Sequence, residues 1–492
     1  MIAQHAAVLV VVLPLLCAPL VALLRDARIA GAAVLMIAAL DAALATLLLC
    51  QTLDGTVISY ALGNWAPPIG IEYRIDLLAA AMACLLAYAA TLVALFLPVS
   101  LRGTIAPGDQ PRLFAAFLLC LAGLVGIVVT GDIFNVFVFL EISSLSTYVL
   151  IAMGAGADRR ALTAAFDYLV LGATGATFFV IGIAFLYVVT GTLNMADLGE
   201  RMATAPKRAV IVGSSFIFVG IALKAAMLPL HRWMPNAYAY APAGVGTFLA
   251  MTATKVSIYL LIRMSDFVFD TPGEIGRVNF AALLPPIGLA MLVAGSVIAV
   301  TTKDLRRLLA YSSIANLGLM LVALGLGGIS GIAAALVNLF NHAIIKGGMF
   351  ATTAAVLHRR GTTRMDALAG LSRDMPVAFG FLVLGGLALI GVPLTAGFVS
   401  KLLVVKLAFE QANWLVVGGV MLTSLITVAY VWRIVEAGMA APAKTAPRHD
   451  LHPAFLLPVG LLGAATIGLG IWSEPMLTLA GRIAAQMIGG AP

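Results

Sequence analysis

Five lysines stand inside stretches that are otherwise apolar enough to cross a membrane: Lys224, Lys255, Lys346, Lys401 and Lys406. Lys401 lies in the middle of GVPLTAGFVSKLLVV (391–405), and Lys224 lies in GIALKAAMLPLHRWMP (220–235). Each has a proline nearby that breaks the run, Pro393 and Pro229. A charged amine at bilayer depth costs about 3 kcal/mol or more. Arginine stays charged in almost any surroundings, whereas a lysine taken out of water can release and recapture a proton. A row of lysines with no arginine among them therefore suits a proton route through a membrane. The competing explanation is snorkelling, in which a long side chain reaches the head-group region. It suits Lys406, which sits near a span end with Glu410 four residues on. It suits Lys224, Lys255 and Lys401 poorly, because each lies well within its span.

The acidic residues within spans are Asp41, Glu141 and Asp167, with Asp76 and Asp132 near span ends. Glu141 sits in GDIFNVFVFLEISSLSTY (131–148), followed by Ser143, Ser144, Ser146 and Thr147, so this part of the helix is polar enough to border water. A buried carboxylate wants a cation, and Lys224 is the natural partner, either as part of a relay or as a structural ion pair between helices. Asp41 and Asp167 read as local packing or interface groups. His342, in NLFNHAIIKGGMF (338–350), precedes Lys346 by one helical turn, which puts two titratable groups on one helix face. Cys17, Cys50, Cys84 and Cys120 lie in apolar segments without CxxC spacing and read as small hydrophobes.

The elements that must position these groups follow from composition. The chain has 492 residues, 62% hydrophobic and 10% charged, where a soluble protein carries about a quarter charged residues. The fold class is an all-α polytopic membrane protein, and the net charge of +7 carries no implication of nucleic-acid binding. Apolar windows of about 20 residues predict about fourteen transmembrane helices. The fifth (134–153), eighth (243–262) and eleventh (328–357) are continuous, while the seventh (209–230) and twelfth (376–410) are interrupted by Pro and Gly. No basic residue precedes the first run, and Arg25 and Arg28 follow it, the flank of a retained first span with its N-terminus outside. With that orientation the outside loops hold Arg74, Arg201, Lys207, Arg208, Arg263, Arg277 and Arg482. Apart from the five lysines within spans, every other basic residue, Arg232, Lys444 and Arg448 among them, falls inside, so the positive-inside rule puts both termini outside.

Spans four to eight and nine to thirteen make two sets of five, an odd number, so the second set is inverted relative to the first. The two broken spans occupy the same fourth place in each set, as in transporters built from inverted repeats with the ion path at the repeat interface. The expected organisation is three N-terminal helices (1–108), a first five-helix repeat (109–263), a second, inverted repeat (279–437) and a C-terminal helix (438–492).

LKAAMLPLHRWMPNAYAYAP, KDLRRLLAYSSIANLG, NHAIIKGGMF and GVPLTAGFVSK resemble the signature stretches of the antiporter-like subunits shared by respiratory complex I, membrane-bound hydrogenases and Mrp-type cation/proton antiporters. The resemblance covers the whole chain and is strongest from about 112 to 410; TGDIFNVFVFLEI is most similar to the D-type subunit of the Mrp antiporters. It implies fourteen helices and a hydrophilic axis in the membrane plane. It also implies functional residues: a fifth-helix glutamate at Glu141, a seventh-helix lysine at Lys224, an eighth-helix lysine at Lys255, an eleventh-helix histidine at His342 and a twelfth-helix lysine at Lys401. That last position is glutamate in some relatives. The chain ends without the long lateral helix of the largest complex I subunit.

The function expected on this basis is proton translocation, as one subunit of a multisubunit Na+ (or K+)/H+ antiporter in a bacterial cell membrane, among other membrane subunits and lipid. Protons are expected to be taken up near Lys224 or Lys255, to pass along water and His342 with Lys346, and to leave near Lys401, while pairing with Glu141 holds Lys224 charged. The alternative is the proton-pumping membrane arm of a redox complex. An organic-solute transporter fits less well, because no distinct polar substrate pocket is legible. No GxSxG, HExxH, P-loop or clustered metal-ligand spacing is present, so no catalytic residue, metal or cofactor is expected.

Overall fold

A backbone segment in lipid must satisfy its own N–H and C=O groups, which leaves a run of apolar residues little choice but the helix. The computed structural model describes residues 2–265, 268, 280–441 and 450–489. Arg277, Lys444 and Arg448, which entered the orientation reading, lie outside the described residues. The N-terminal bundle comprises α1 (Ile2–Ala22), α2 (Ala27–Thr52) and α3 (Leu77–Ser100). A first set follows: α4 (Gln110–Val129), α5 (Ile133–Ala152), α6 (Arg160–Thr190), the short α7 (Met195–Met202), α8 (Lys207–Lys224), α9 (Trp233–Tyr240), α10 (Ala243–Met251) and α11 (Ala253–Met264). The second set comprises α12 (Phe280–Thr301), α13 (Leu305–Leu326), α14 (Gly328–Arg360), α15 (Leu371–Asp374), α16 (Pro376–Ile390), α17 (Ala396–Glu410) and α18 (Trp414–Met439). The chain closes with α19 (Pro453–Ile471) and α20 (Glu474–Met487).

Among the described residues, 12 spans are long and apolar enough to cross a membrane without a gap, α10 and α11 together forming one of them. The two further spans are broken ones, α8/α9 and α16/α17, with Pro229 and Pro393 in the respective gaps. The expected fourteen spans and two interrupted helices are therefore present. The first broken helix runs further than expected, to Tyr240, so Arg232, expected in an inside loop, lies in the break instead. Three features are additional. Residues Ile58–Ala61 and Glu72–Ile75 form a two-stranded antiparallel hairpin, with Ile58 opposite Ile75. The span of α10 and α11 is interrupted at Thr252 (φ −119°, ψ −61°). Finally, α20 packs against α14.

The same small knot of backbone occurs once in each set. Asp132 caps α5 by accepting from the amide of Asn135 at 2.7 Å, and Asp304 caps α13 by accepting from the amide of Arg307 at 3.1 Å. Beside the first cap, Ile133 N–H donates to Leu193 O and Met195 N–H to Gly131 O, both at 2.9 Å. Beside the second, Leu305 N–H donates to Thr363 O and Met365 N–H to Lys303 O, again both at 2.9 Å. The third helix of each set, α6 and α14, ends on a left-handed glycine, Gly191 (φ 70°) and Gly361 (φ 71°). This is the C-cap that a residue without Cβ adopts most easily.

At the core, α14 packs against α10, α13, α16, α17 and α19. On α18, Leu415, Leu425 and Trp432 are exposed, as a face turned to lipid tails requires. Arg263, expected in an outside loop, is instead buried in the last turn of α11. Its guanidinium donates to both carboxylate oxygens of Asp76, at 2.5 and 2.8 Å, and to the hydroxyl of Tyr259 at 3.1 Å. A guanidinium in that position is tolerated because its charge is met by a bidentate carboxylate.

Candidate functional site

Lys224 is the last residue of α8, where the helix stops four residues short of the Leu228–Pro229 bond. Its amine donates to the Ser144 hydroxyl on α5, and that hydroxyl in turn donates to Leu140 O at 2.6 Å. Glu141 lies one turn before Ser144. One of its carboxylate oxygens is buried without a hydrogen-bond partner, and no ion pair joins it to Lys224. The expected direct pair is thus replaced by a lysine held on a serine, close enough for the charge of Glu141 to act on it. The reason is reach: the amine enters one turn further along α5 than the carboxylate. The polar stretch around Ser144 also differs from expectation, because Ser143, Ser146 and Thr147 donate to carbonyls of their own helix, at 3.0, 2.7 and 2.7 Å, and are buried.

Aromatic rings close the rest of this site. Lys224 stands 6.0 Å from the centroid of the Tyr168 ring, within the range of a cation–π contact. Tyr148 and Trp233 meet Tyr168 edge to face, at 5.2 and 4.7 Å. The Trp233 indole, just beyond the break, donates to Leu223 O at 3.0 Å, a carbonyl that also accepts from the Ala226 amide at 3.3 Å where α8 ends. A Cβ at Gly172 would lie 2.7 Å from the Tyr148 hydroxyl and 3.5 Å from the Lys224 amine, so both polar groups converge on the space a side chain there would fill.

Lys255 follows the interruption at Thr252 and is fully buried. Its amine donates back to Ala250 O in the last turn of α10, a carbonyl that the break removes from the helical ladder. His342, on α14, is buried with neither ring nitrogen hydrogen-bonded among the described residues, and the charges of Lys255 and Lys346 both reach it. One turn on, Lys346 donates to the Ser312 hydroxyl and, at 3.0 Å, to Leu309 O, both on α13. Beside His342, Asn341 donates to Ala396 O at 2.9 Å and to the Ser400 hydroxyl at 3.0 Å, tying α14 to the residue next to Lys401.

Lys401 lies on α17 but reaches back across the gap. Its amine donates to Leu389 O, Ile390 O and the Ser424 hydroxyl, each at 2.9 Å. Leu389 and Ile390 end α16, so the lysine satisfies carbonyls left free by the break and puts its charge at the negative end of the helix dipole. The two half-helices approach so closely that a Cβ at position 397 would stand 1.8 Å from Ala388 O, a site only glycine can occupy. Lys406, by contrast, is exposed, 3.9 Å from Glu410, and takes no part in this arrangement.

The six candidate residues thus fall in three places: Glu141 and Lys224 at the first break, Lys255, His342 and Lys346 around α14, and Lys401 at the second break. Three serines hold lysines. Ser144 was visible in the sequence only as one member of a polar stretch, although its i+3 spacing from Glu141 was a signal. Ser312, Ser424 and Tyr148 were not singled out at all, and for Ser424 no local signal exists. Among the described residues no group of His, Cys, Asp and Glu could hold a metal ion.

A fold of fourteen spans with two broken helices and buried lysines defines an antiporter-like polytopic membrane protein. Residues 130–427 match the family described as NADH:quinone oxidoreductase/Mrp antiporter, TM, and the chain belongs to that family. It is 35% identical to the N-type subunit of NADH-quinone oxidoreductase from Desulforudis audaxviator, over 96% of this chain and 97% of that one. It is 31% identical to the D-type subunit of the Na(+)/H(+) antiporter from Alkalihalophilus pseudofirmus, over 87% and 85% of the respective chains. Its fold is similar to a chain of the membrane-bound sulfane sulfur reductase, an archaeal respiratory membrane complex, with a TM-score of 0.90, 31% identity and coverage of 98% and 97%.

Proposed function

We propose that the chain translocates protons across a bacterial cell membrane, with both termini outside, as one subunit of a multisubunit Na+ (or K+)/H+ antiporter. The observation that carries this reading is that Lys224, Lys255, Lys346 and Lys401 are held by hydroxyls and carbonyls rather than by carboxylates. Such partners accept a hydrogen bond from the charged amine, and a hydroxyl can donate to the neutral one. Lys255, Lys346 and Lys401 can therefore change protonation without leaving a buried counter-charge unpaired. Glu141 is the one carboxylate that acts on this series, through Lys224, and the change in that pair starts the transfer. His342 connects the two halves, lying within reach of Lys255 and Lys346.

A second reading is favoured by one observation. Identity is higher to the N-type oxidoreductase subunit than to the D-type antiporter subunit, 35% against 31%. In that case the same lysines serve a redox-driven pump.

The test is purification of the native complex in mild detergent, identification of its subunits by mass spectrometry, and an absorption spectrum. Small membrane partners with no flavin or iron–sulfur absorption, together with sodium-driven proton movement in vesicles, support the antiporter. Iron–sulfur partners support the redox pump. Proton-coupled transport that survives Glu141→Ala and Lys224→Ala in a normally assembled complex rules out the relay in both settings.

A further inference from the structure

A polar cavity of about 540 Å³ opens where the ends of α9, α12 and α14 meet the starts of α6 and α13. It is a feature the sequence did not disclose, and it lies at one end of the helices, apart from the buried lysine series. Most of the charge that lines it is positive. Arg160 is met by Asp158 at 2.6 Å, and Arg364 by Asp366 at 2.8 Å. Hydrogen bonds from Arg160 hold the Asp158 carboxyl below the usual carboxylate range, so this pair stays formed at neutral pH. Lys303, Arg306 and Arg307 remain, with one further carboxylate, Asp304, in the lining, while the Arg306 guanidinium also donates through Nη1 to Ala241 O at 3.2 Å. That carboxylate is engaged by the Thr363 hydroxyl at 2.6 Å and by the backbone amide of Arg307 at 3.1 Å. The Nε atoms of both Arg306 and Arg307 are buried and have no hydrogen-bond partner among the described residues. Buried donors on two adjacent guanidinium groups, beside a cavity with more cations than anions, call for an anion.

We propose that this cavity binds a phosphate-bearing anion, with Arg306 and Arg307 as its guanidinium donors and Lys303 as a third cation. Guanidinium forks match phosphate oxygens in charge and in planar geometry. The basic residues that line the cavity, Arg160, Lys303, Arg306, Arg307 and Arg364, are among those assigned to the inside by the positive-inside rule, at the head-group level of an anionic leaflet. The phosphate can come from an anionic phospholipid, whose tails would extend toward the lipid-facing helices, or from free phosphate; both present the same oxygens to the two arginines.

The test uses the full chain purified in detergent and examined by native mass spectrometry, with phosphatidylglycerol, phosphatidylcholine and inorganic phosphate as probes. Expected is saturable retention of phosphatidylglycerol over phosphatidylcholine, weakened at least about tenfold by Arg306→Gln with Arg307→Gln, the scale of losing charge-assisted hydrogen bonds. Arg306→Lys should retain part of the binding, and Arg373→Gln, exposed and outside the cavity, all of it. A phospholipid source is indicated if millimolar inorganic phosphate fails to displace the lipid. A free-phosphate source is indicated if phosphate alone raises the melting temperature of the wild type and not of the double variant. The proposal is overturned if the double variant, with unchanged oligomeric state and melting temperature, retains phosphatidylglycerol as the wild type does. It is equally overturned if Arg373→Gln lowers retention as much as the cavity substitutions do.

Discussion

The two broken helices hold corresponding places in the two sets, and they use their lysines differently. At the first break Lys224 ends the leading half-helix and points away from it, onto Ser144 of a neighbouring helix near Glu141. The end of that half-helix is tied instead by an aromatic residue, the Trp233 indole, which shares Leu223 O with the Ala226 amide. At the second break Lys401 sits on the trailing half-helix and itself binds the freed carbonyls of the leading one. The first lysine thus has a carboxylate whose charge can be felt or withdrawn, while the second has fixed dipoles. A shared helix break supplies free backbone groups and a gap, but the residue that fills the gap decides whether the site is structural, switchable or both. In the proposed relay Lys401 would both hold its break together and carry a proton, whereas Lys224 would only carry one.

The largest effect that would separate the two sites is that of Lys401→Met. It should abolish proton transport and also lower stability by about 2–6 kcal/mol, because two buried carbonyls lose their donor at about 1–3 kcal/mol each. Thermal unfolding of the purified chain together with transport in vesicles reads both losses. Lys224→Met should cost transport equally, yet change stability by less than about 1 kcal/mol, since the Ser144 hydroxyl keeps its bond to Leu140 O and an apolar side chain replaces a buried amine. Equal destabilisation by the two substitutions would break the comparison.

Smaller effects sharpen it. Glu141→Gln should slow transport by on the order of tenfold to a hundredfold, within the range of a positioned acid or base. Transport slowed less than about twofold would mean that the carboxylate does not act on Lys224. The smallest effect expected is that of Gly172→Ala. The added methyl meets the Tyr148 hydroxyl at 2.7 Å and reaches the Lys224 amine at 3.5 Å, and should reduce transport a few-fold, about 1 kcal/mol of barrier. Tyr148→Phe in the same chain should restore part of it by removing the atom in conflict. A double variant slower than Gly172→Ala alone would instead give the hydroxyl a role of its own.

Much of this architecture was legible. Runs of about 20 apolar residues placed the spans to within a few residues, except the end of the seventh, and Pro229 and Pro393 marked both breaks. The third interruption, at Thr252, was not legible. Threonine is tolerated within a helix, and the Thr252 hydroxyl donates to Phe248 O at 2.7 Å as it would in an intact one. The two misassigned arginines have different causes: Arg232 lies in a broken span that continues to Tyr240. Arg263 looks like a loop residue at a span end until Asp76, 187 positions away in sequence, is seen to meet it. The serines could not be recognised as lysine partners for the same reason: Ser144 and Lys224 are 80 positions apart, and Ser312 and Lys346 are 34.

From the sequence alone it followed that the chain spans a membrane many times, that two of its helices are broken, and that five lysines lie within its spans. Those properties follow from the cost of leaving a backbone group or a charge unsatisfied in lipid, a cost incurred residue by residue and so visible residue by residue. What each lysine touches, that Lys224 rests on Ser144 one turn beyond Glu141, and that Arg160, Arg306, Arg307 and Arg364 line one cavity followed from the three-dimensional packing alone. A hydrogen bond depends on which helices are neighbours and on the angle at which a side chain leaves its own, and neither is written in local spacing.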